Sequence, residues 1–159
     1  MTPRPTAPWS DFVRDAPALA AVVAEIFSSH PHHVIATTRR DGSPRVGGTN
    51  VFITDGIAWI GMMPIAARVR DLRRDPRCAI HSAPLEEDLA RGDIRLDLVA
   101  TEARHDLAAR LLAATGSPGP GVVFTLAVSR ASLVRVEGEH LIVETWHPGQ
   151  PTTVTAHKG

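Results

Sequence analysis

Eight arginines crowd one reach of this chain. Arg68, Arg70, Arg73 and Arg74 stand within IAARVRDLRR (residues 65–74), Arg77 follows, and Arg39, Arg40 and Arg45 come a little earlier. Guanidinium groups bind phosphate bidentately, and a helix N-terminus adds backbone N–H donors and a positive dipole end, so one reading is an anion site. The other is a solvated basic face beside Asp71 and Asp75. Arg68 stands apart, because it falls in the first turn after Pro64. Gly47-Gly48-Thr49-Asn50 interrupts an otherwise strand-like run. Glycine weakens a strand unless a backbone or ligand approaches closely there, which leaves two readings: a flat ligand lying on the backbone, or a barrel corner. Thr49 and Asn50 would supply donors and acceptors.

The remaining reactive side chains carry less. Cys78 and His81 lie three apart in a strand-like run and so point to opposite faces; Cys78 reads as buried core. His30, His32 and His33 straddle Pro31 with no further ligands at metal spacing, so no metal site is expected. Trp59, Met62 and Met63 read as core. No Ser–His–Asp order and no HExxH stands in the chain, and no catalytic residue is singled out.

These residues must be positioned by the block 33–84. HVIATTRR (33–40) and RVGGTNVFI (45–53) flank Asp41-Gly42-Ser43-Pro44, and Asp-Gly between alternating apolar runs is a strong hairpin signal. Thr54-Asp55-Gly56 turns the chain into IAWIGMM (57–63). A helix is expected over 65–74, stopped by Asp75-Pro76, and RCAIHSA (77–83) is a further strand. Upstream, residues 1–9 with Pro3, Pro5 and Pro8 read as a loose arm that Trp9 docks. Ser10 looks like the cap of a short turn. Asp15-Ala16-Pro17 opens a helix with Leu19, Val22, Val23, Ile26 and Phe27 on one face. Downstream come a polar loop or short helical excursion (84–93), a strand (94–103) and a helix (105–114) with Gly116 at its C-cap. A glycine-rich loop (116–121) and strands at 122–128, 132–136 and 141–146 follow, with an edge strand at 154–157. No helix opens after the glycine-rich loop, so it is not a phosphate loop. Hairpin-length connections favour antiparallel pairing, and a closed or half-closed barrel removes exposed edges. The expectation is one mainly β domain over residues 1–159, a barrel with peripheral helices.

Composition narrows the function. Lys plus Arg and Asp plus Glu are 17 each among 159 residues, which gives no overall field toward nucleic acid or an anionic membrane. Aromatics are only 4%, which speaks against stacking on nucleic-acid bases. No apolar run approaches the roughly 18–20 residues of a membrane span. One cysteine forms no internal disulfide, and the N-terminal stretch lacks the apolar core of a signal peptide, so a cytoplasmic protein is expected.

VIATTRRDGSPRV, IAWIGMMP and RVRDLRRDPRCAIHSAP resemble the pyridoxamine 5'-phosphate oxidase-like split-barrel flavoproteins, and FTLAVSRASLVRVEGEHLIVETWHPG is similar to the last strands of one branch of that family. The resemblance covers roughly residues 10–150. It implies a six-stranded antiparallel split β-barrel with peripheral helices. It also implies a homodimer with two cofactor sites between the chains and a small-molecule substrate. The cofactor is usually FMN and in one large set of relatives a deazaflavin, coenzyme F-420. By resemblance the isoalloxazine lies along Gly47, Gly48, Thr49 and Asn50, and the phosphate sits at Gly61, Met62 and Arg68. The family usually has Ser or Thr at Met62, Gly at Ile65 and Arg or Lys at Ala67. The Arg-x-His pair of the true pyridoxamine-phosphate oxidases has no match in RVEGEHLIVETW. Two functions follow. One is an oxidoreductase passing hydride between a flavin-type cofactor and a small organic substrate, the cofactor carrying the chemistry. The other is a split-barrel protein that holds a flavin, haem-like or other apolar ligand without turnover, which the apolar changes at Met62, Ile65 and Ala67 favour.

Overall fold

A computed structural model of the chain describes residues 4–83, 89–116 and 121–159. Its strands are β1 (His33–Thr38), β2 (Pro44–Thr49), β3 (Phe52–Thr54), β4 (Ile57–Met62), β5 (Arg77–His81), β6 (Asp93–Glu102), β7 (Val122–Glu137), β8 (His140–Trp146) and β9 (Thr153–Lys158). Its helices are α1 (Trp9–Asp15), α2 (Pro17–Ser29), α3 (Ala67–Arg74) and α4 (His105–Ala114). All strand pairs are antiparallel, in the order β2-β1-β5-β6-β7-β4-β3, with β8 and β9 continuing from β7.

The expected strand 45–53 is cut in two. β2 and β3 are neighbours in sequence, separated by Asn50 and Val51, yet they stand at opposite ends of the strand order. The chain itself spans the opening that no ladder closes. Counted as one bent strand, β2–β3 makes a six-stranded split barrel with β1, β4, β5, β6 and β7. The β8–β9 hairpin is an extension.

Alternation fills the interior. Ile35 pairs with Ile80, Ile80 with Leu96 and Leu96 with Ala131, and all four are buried. Their side chains form one inward row, because successive residues of a strand face opposite sides. Helix α2 covers this core with Leu19, Ala20, Val23, Ile26 and Phe27. Helix α1 adds Trp9 and Phe12, the latter 4.8 Å from Trp146 between ring centroids. A second cluster joins Trp59, Leu111 and Val123 under α4. Each such large side chain contributes about 1.5–3 kcal/mol when fully buried.

Turn chemistry explains the hairpins. Gly42 has φ +85° and donates its N–H to Arg39 O, while Asp41 Oδ1 accepts from Ser43 N and Oγ. That closes β1 against β2 with Thr38 opposite Pro44 and His33 opposite Thr49.

Several expectations shift. The N-terminal arm is held from Ala7 onward: Ala7 exchanges two backbone hydrogen bonds with Val128, and Trp9 is buried. Ser10 lies inside α1, which begins at Trp9, and Asp15 ends that helix while pairing with Arg14; Ala16 precedes α2 without a side-chain cap. Helix α3 starts at Ala67, because Pro64 and Ile65 form a turn first. The strands expected at 122–128 and 132–136 are one, β7. A bulge at Ser129 absorbs the irregularity: the register passes from Asp97↔Arg130 to Leu98↔Val128, and Ser129 Oγ donates to Asp97 O. Gly116 has the expected positive φ, +68°. The expected loops at 84–93 and 116–121 fall in part outside the described residues. Among those described, no helix is long and apolar enough to cross a membrane.

Candidate functional site

Where β2 gives way to β3, a cleft of about 750 Å³ opens. Its walls are Gly48 and Thr49 of β2, Asn50 of the crossover, Phe52 of β3, and Trp59, Gly61 and Met62 of β4. Met63, Ala66, Arg68, Leu112, Thr115 and His32 complete it. The size suits a small organic ligand, whose pockets run from about 300 to 1,000 Å³. Phe52 stacks on Trp59 at 4.5 Å between centroids, and Trp59 Nε1 donates to Thr54 Oγ1. This wall is aromatic and fixed.

Helix α3 is clamped against the first hairpin by a buried carboxylate. Asp71 Oδ2 accepts from Arg45 Nε at 2.6 Å and Thr37 Oγ1 at 3.1 Å, and Oδ1 accepts from Arg74 Nη2 at 3.3 Å. Burial pushes the Asp71 acid up, but these donors outweigh it and hold the carboxyl below its usual range. The clamp sets where Arg68, one turn earlier, can reach. Its Nη1 donates to Gly48 O at 2.7 Å. A Cβ on Gly47 would stand 3.5 Å from the same guanidinium. The bare backbone of Gly47 thus leaves room for the arginine side chain beside it.

The arginine cluster separates on inspection. Arg73 pairs with Glu102, Arg77 with Asp75, Arg45 and Arg74 with Asp71, and Arg74 also with Thr38 O. Arg68 has no carboxylate partner among the described residues. Burial and then Arg45 lower its pKa below the ordinary guanidinium value, with Asp71 partly offsetting them, so it is a half-buried cation without an ion pair among the described residues.

The cleft gathers Gly48, Thr49, Asn50, Gly61, Met62 and Arg68 of the residues singled out from sequence; Gly47 stands behind Arg68. Trp59 is core and cleft wall at once, and Met62 is half-buried. Met63 is 69% exposed, contrary to the core reading, because it has left β4 and stands in the turn before α3. Cys78 is buried, and burial pushes its thiol up to about 12. Among the described residues no group of His, Cys, Asp and Glu could hold a metal ion. His33 is buried, its Nε2 on Phe27 O and its Nδ1 accepting from Ala83 N.

His32 was not singled out as a cleft residue. Its Nδ1 lies 2.9 Å from Asn50 Oδ1. The signal was in the hairpin register: one step past His33↔Thr49 sets His32 opposite Asn50. Phe52 comes from β3, and Leu112 and Thr115 from α4 and its C-cap, far from it in sequence.

No protein-family model matches this sequence, and no curated protein matches it. Solved structures do match. Burkholderia lata PhzG, solved with tetrahydrophenazine-1-carboxylic acid, aligns over 96% of this chain and 94% of its own at TM-score 0.69 and 12% identity. A Listeria innocua protein described as a putative pyridoxamine 5'-phosphate oxidase aligns over 70% and 94% at TM-score 0.58 and 9% identity. The chain has the pyridoxamine 5'-phosphate oxidase-like split-barrel fold. A heme binding protein from Mycobacterium smegmatis shares that fold at TM-score 0.62 and 23% identity, over 89% of this chain. The chain spans 58% of that protein's length and 61% of that of Campylobacter jejuni ChuZ. At these identities the likeness concerns the split barrel itself, and the activity must be argued from the cleft.

Proposed function

We propose that this split barrel is an oxidoreductase that holds a flavin-type cofactor, FMN or the deazaflavin coenzyme F-420, in the cleft at Asn50 and passes hydride to or from a small organic substrate. The observation that carries the reading is Arg68. A half-buried guanidinium without a carboxylate partner among the described residues, in a cleft otherwise lined by apolar, aromatic, amide, hydroxyl and imidazole groups, is suited to an anionic group on a flat ligand. Arg68 would hold the phosphate with backbone N–H groups near Gly61 and Met62. Gly48, Thr49 and Asn50 would flank the ring. The cofactor supplies the hydride chemistry; the protein binds it, orients it and shields it on the Phe52–Trp59 side.

The site is read as lying between two copies of the chain. Met63 and Ile65 beside the cleft are 69% and 81% exposed, and Val46 on β2 is 65% exposed, apolar surface of the kind that association covers. A stable dimer of this type buries on the order of 2,000 Å² or more. A monomer mass by light scattering at micromolar concentration would remove this part of the reading.

A second reading rests on Met62, Ile65 and Ala67, which bring no hydrogen-bonding side chain to the cleft region. On it the protein holds an apolar or haem-like ligand without turnover, as the mycobacterial neighbour's description suggests. Titrating the apo protein with FMN, coenzyme F-420 and haem decides between them. Saturable flavin or deazaflavin binding supports the first reading; haem binding alone supports the second.

A further inference from the structure

The imidazole of His33 is 2% exposed and is bound by backbone at both nitrogens. Its Nε2 lies 3.0 Å from Phe27 O in the last turn of α2, and its Nδ1 lies 3.2 Å from Ala83 N, just past β5. A carbonyl only accepts and a backbone amide only donates, so one neutral tautomer satisfies both: Nε2 carries the proton and Nδ1 is bare. The β1–β5 ladder ends at Val34↔His81, and this side chain carries the tie from the start of β1 onward to Ala83. Ser82, between them, is fastened to Ile94 instead, through its N and its Oγ. A second proton, added at Nδ1, would point at the Ala83 N–H. Of the charged groups on the elements packed here, Glu25 of α2 pairs with Arg91, and His81 of β5 stands 4.0 Å from Asp93. Thr49 and Asn50 on the β2 side carry no charge. Burial lowers the His33 pKa, against the backbone of Phe27 and His30, and the charges of His30 and His32 lower it further. The same residue borders the cleft: His33 pairs with Thr49, His32 bonds Asn50, and His32, Thr49 and Asn50 all line the opening.

We propose that His33 is an acid-triggered latch on the cleft. A proton taken up at Nδ1 unhooks Ala83 and turns the ring out of its pocket. The start of β1 then frays, and the rim at His32, Thr49 and Asn50 loses the shape that holds a ligand. The cleft thus releases a flavin-type ligand as pH falls, a regulation that rests on the cofactor-binding reading above. The open form takes up the proton near the ordinary imidazole value of about 6.5, and the closed form only at lower pH. Below about 6.5, each pH unit therefore favours opening by about tenfold. Closure persists down to the midpoint of the His33 titration. Below that midpoint the apparent affinity for ligand falls by about tenfold per pH unit, because only the closed fraction binds.

Hydrogen exchange of the apo protein, corrected for the intrinsic effect of pH, reads the latch. Protection of the Ala83 amide should fall by about tenfold per pH unit below about 6.5, while the core amides of Ile80 and Leu96 stay protected. In His33→Gln, whose side chain can donate to Phe27 O and accept from Ala83 N without titrating, that protection should not follow pH. Proton–nitrogen correlation spectra of the parent need no substitution: neutral His33 should carry its proton on Nε2, and its midpoint should match the pH at which Ala83 protection is exhausted. Flat protection in the parent, an equal fall in His33→Gln, or a fall shared by Ile80 and Leu96 overturns the latch. So does a neutral-form proton on Nδ1, or a His33 that stays neutral until the whole protein unfolds. Riboflavin, which has no phosphate to titrate, reads the cleft. Its affinity should fall by about tenfold per pH unit below the midpoint in the parent and in His32→Gln, but not in His33→Gln. Riboflavin affinity that ignores the midpoint overturns the coupling to the cleft. A protein that binds no riboflavin, FMN or deazaflavin at neutral pH refutes the cofactor reading and ligand release with it, while Ala83 exchange still decides the latch.

Discussion

Replacing Arg68 with alanine isolates the anion contact, because the structure shows what else that side chain does. Its Nη1 holds Gly48 O, and its other N–H groups have no carboxylate among the described residues. A hydrogen bond to a charged group contributes about 1.5–3 kcal/mol, and each 1.4 kcal/mol is about tenfold in affinity. Arg68→Ala should therefore weaken FMN binding by about ten- to a hundred-fold. Riboflavin, which lacks the phosphate, should lose almost nothing, so the ratio of the two dissociation constants in each protein isolates the phosphate contact from general damage to the cleft. The apo protein should melt nearly unchanged. It loses one bond to a carbonyl, about 1 kcal/mol, but sheds a cation that burial and Arg45 disfavour. Lysine should recover part of the affinity, since it keeps the charge without the fork. Arg70→Ala, on the exposed side of α3, is the control. Fluorescence titration reads all four proteins. If Arg68→Ala weakens riboflavin and FMN equally, or matches Arg70→Ala, Arg68 is not the phosphate ligand.

Asp71→Ala should destabilise the fold by about 3 kcal/mol in a denaturant melt, because it orphans a buried Thr37 hydroxyl and two arginines. The arginine side chains are 27% and 37% exposed and regain some water, which keeps the loss below that of a fully buried pair. His33 gives a pH signature: burial lowers its pKa against the hydrogen bond to Phe27 O, so the unfolded chain binds the proton more readily. That contribution is complete above the ordinary imidazole value of about 6.5 and is lost as pH falls through the lower folded value. His33→Phe should remove this slope from stability measured against pH. Cys78, with its thiol at about 12, has almost no thiolate at neutral pH. Its alkylation by iodoacetamide, followed by mass spectrometry, should run no faster than unfolding, and Cys78→Ala should keep any cofactor binding.

Local chemistry made much of the barrel legible. Asp41-Gly42 and Asp55-Gly56 set two hairpins because their glycines adopt positive φ, +85° and +75°. Alternation along Ile94, Leu96 and Leu98 gave β6 its buried face. What periodicity does not encode is where a continuous apolar run changes partners. Residues 45–53 read as one strand, yet the chain leaves β1 at Asn50 and rejoins the sheet at its far end beside β4. The bulge at Ser129 is the converse, a polar interruption that pairing overrides. In the site, Arg68 was legible from its place after Pro64, and the glycine run from its weakness as strand. The Asp71 clamp was not, because Thr37, Arg45 and Asp71 meet only once the first hairpin lies against α3.

That clamp explains why the site lies where it does. β2 is one end of the strand order, and an uncovered sheet end invites pairing with another chain. Two side chains of helix α3 reach it: Asp71 ties down Arg45, and Arg68 takes the carbonyl of Gly48. The helix whose Asp71 holds this end strand therefore also delivers a cation to the opening beside it. Asn50, where the chain must leave β2, orients His32 at that same opening. Stability and ligand binding should consequently be coupled through residues that touch no ligand. Asp71→Asn, which keeps the side chain's shape but gives up its charge, frees Arg45 and Arg74 and loosens the helix that carries Arg68. It should weaken FMN more than riboflavin while leaving the Phe52–Trp59 wall intact, as read by tryptophan fluorescence. Equal binding of both flavins by Asp71→Asn and the parent protein would show that the clamp serves the fold alone.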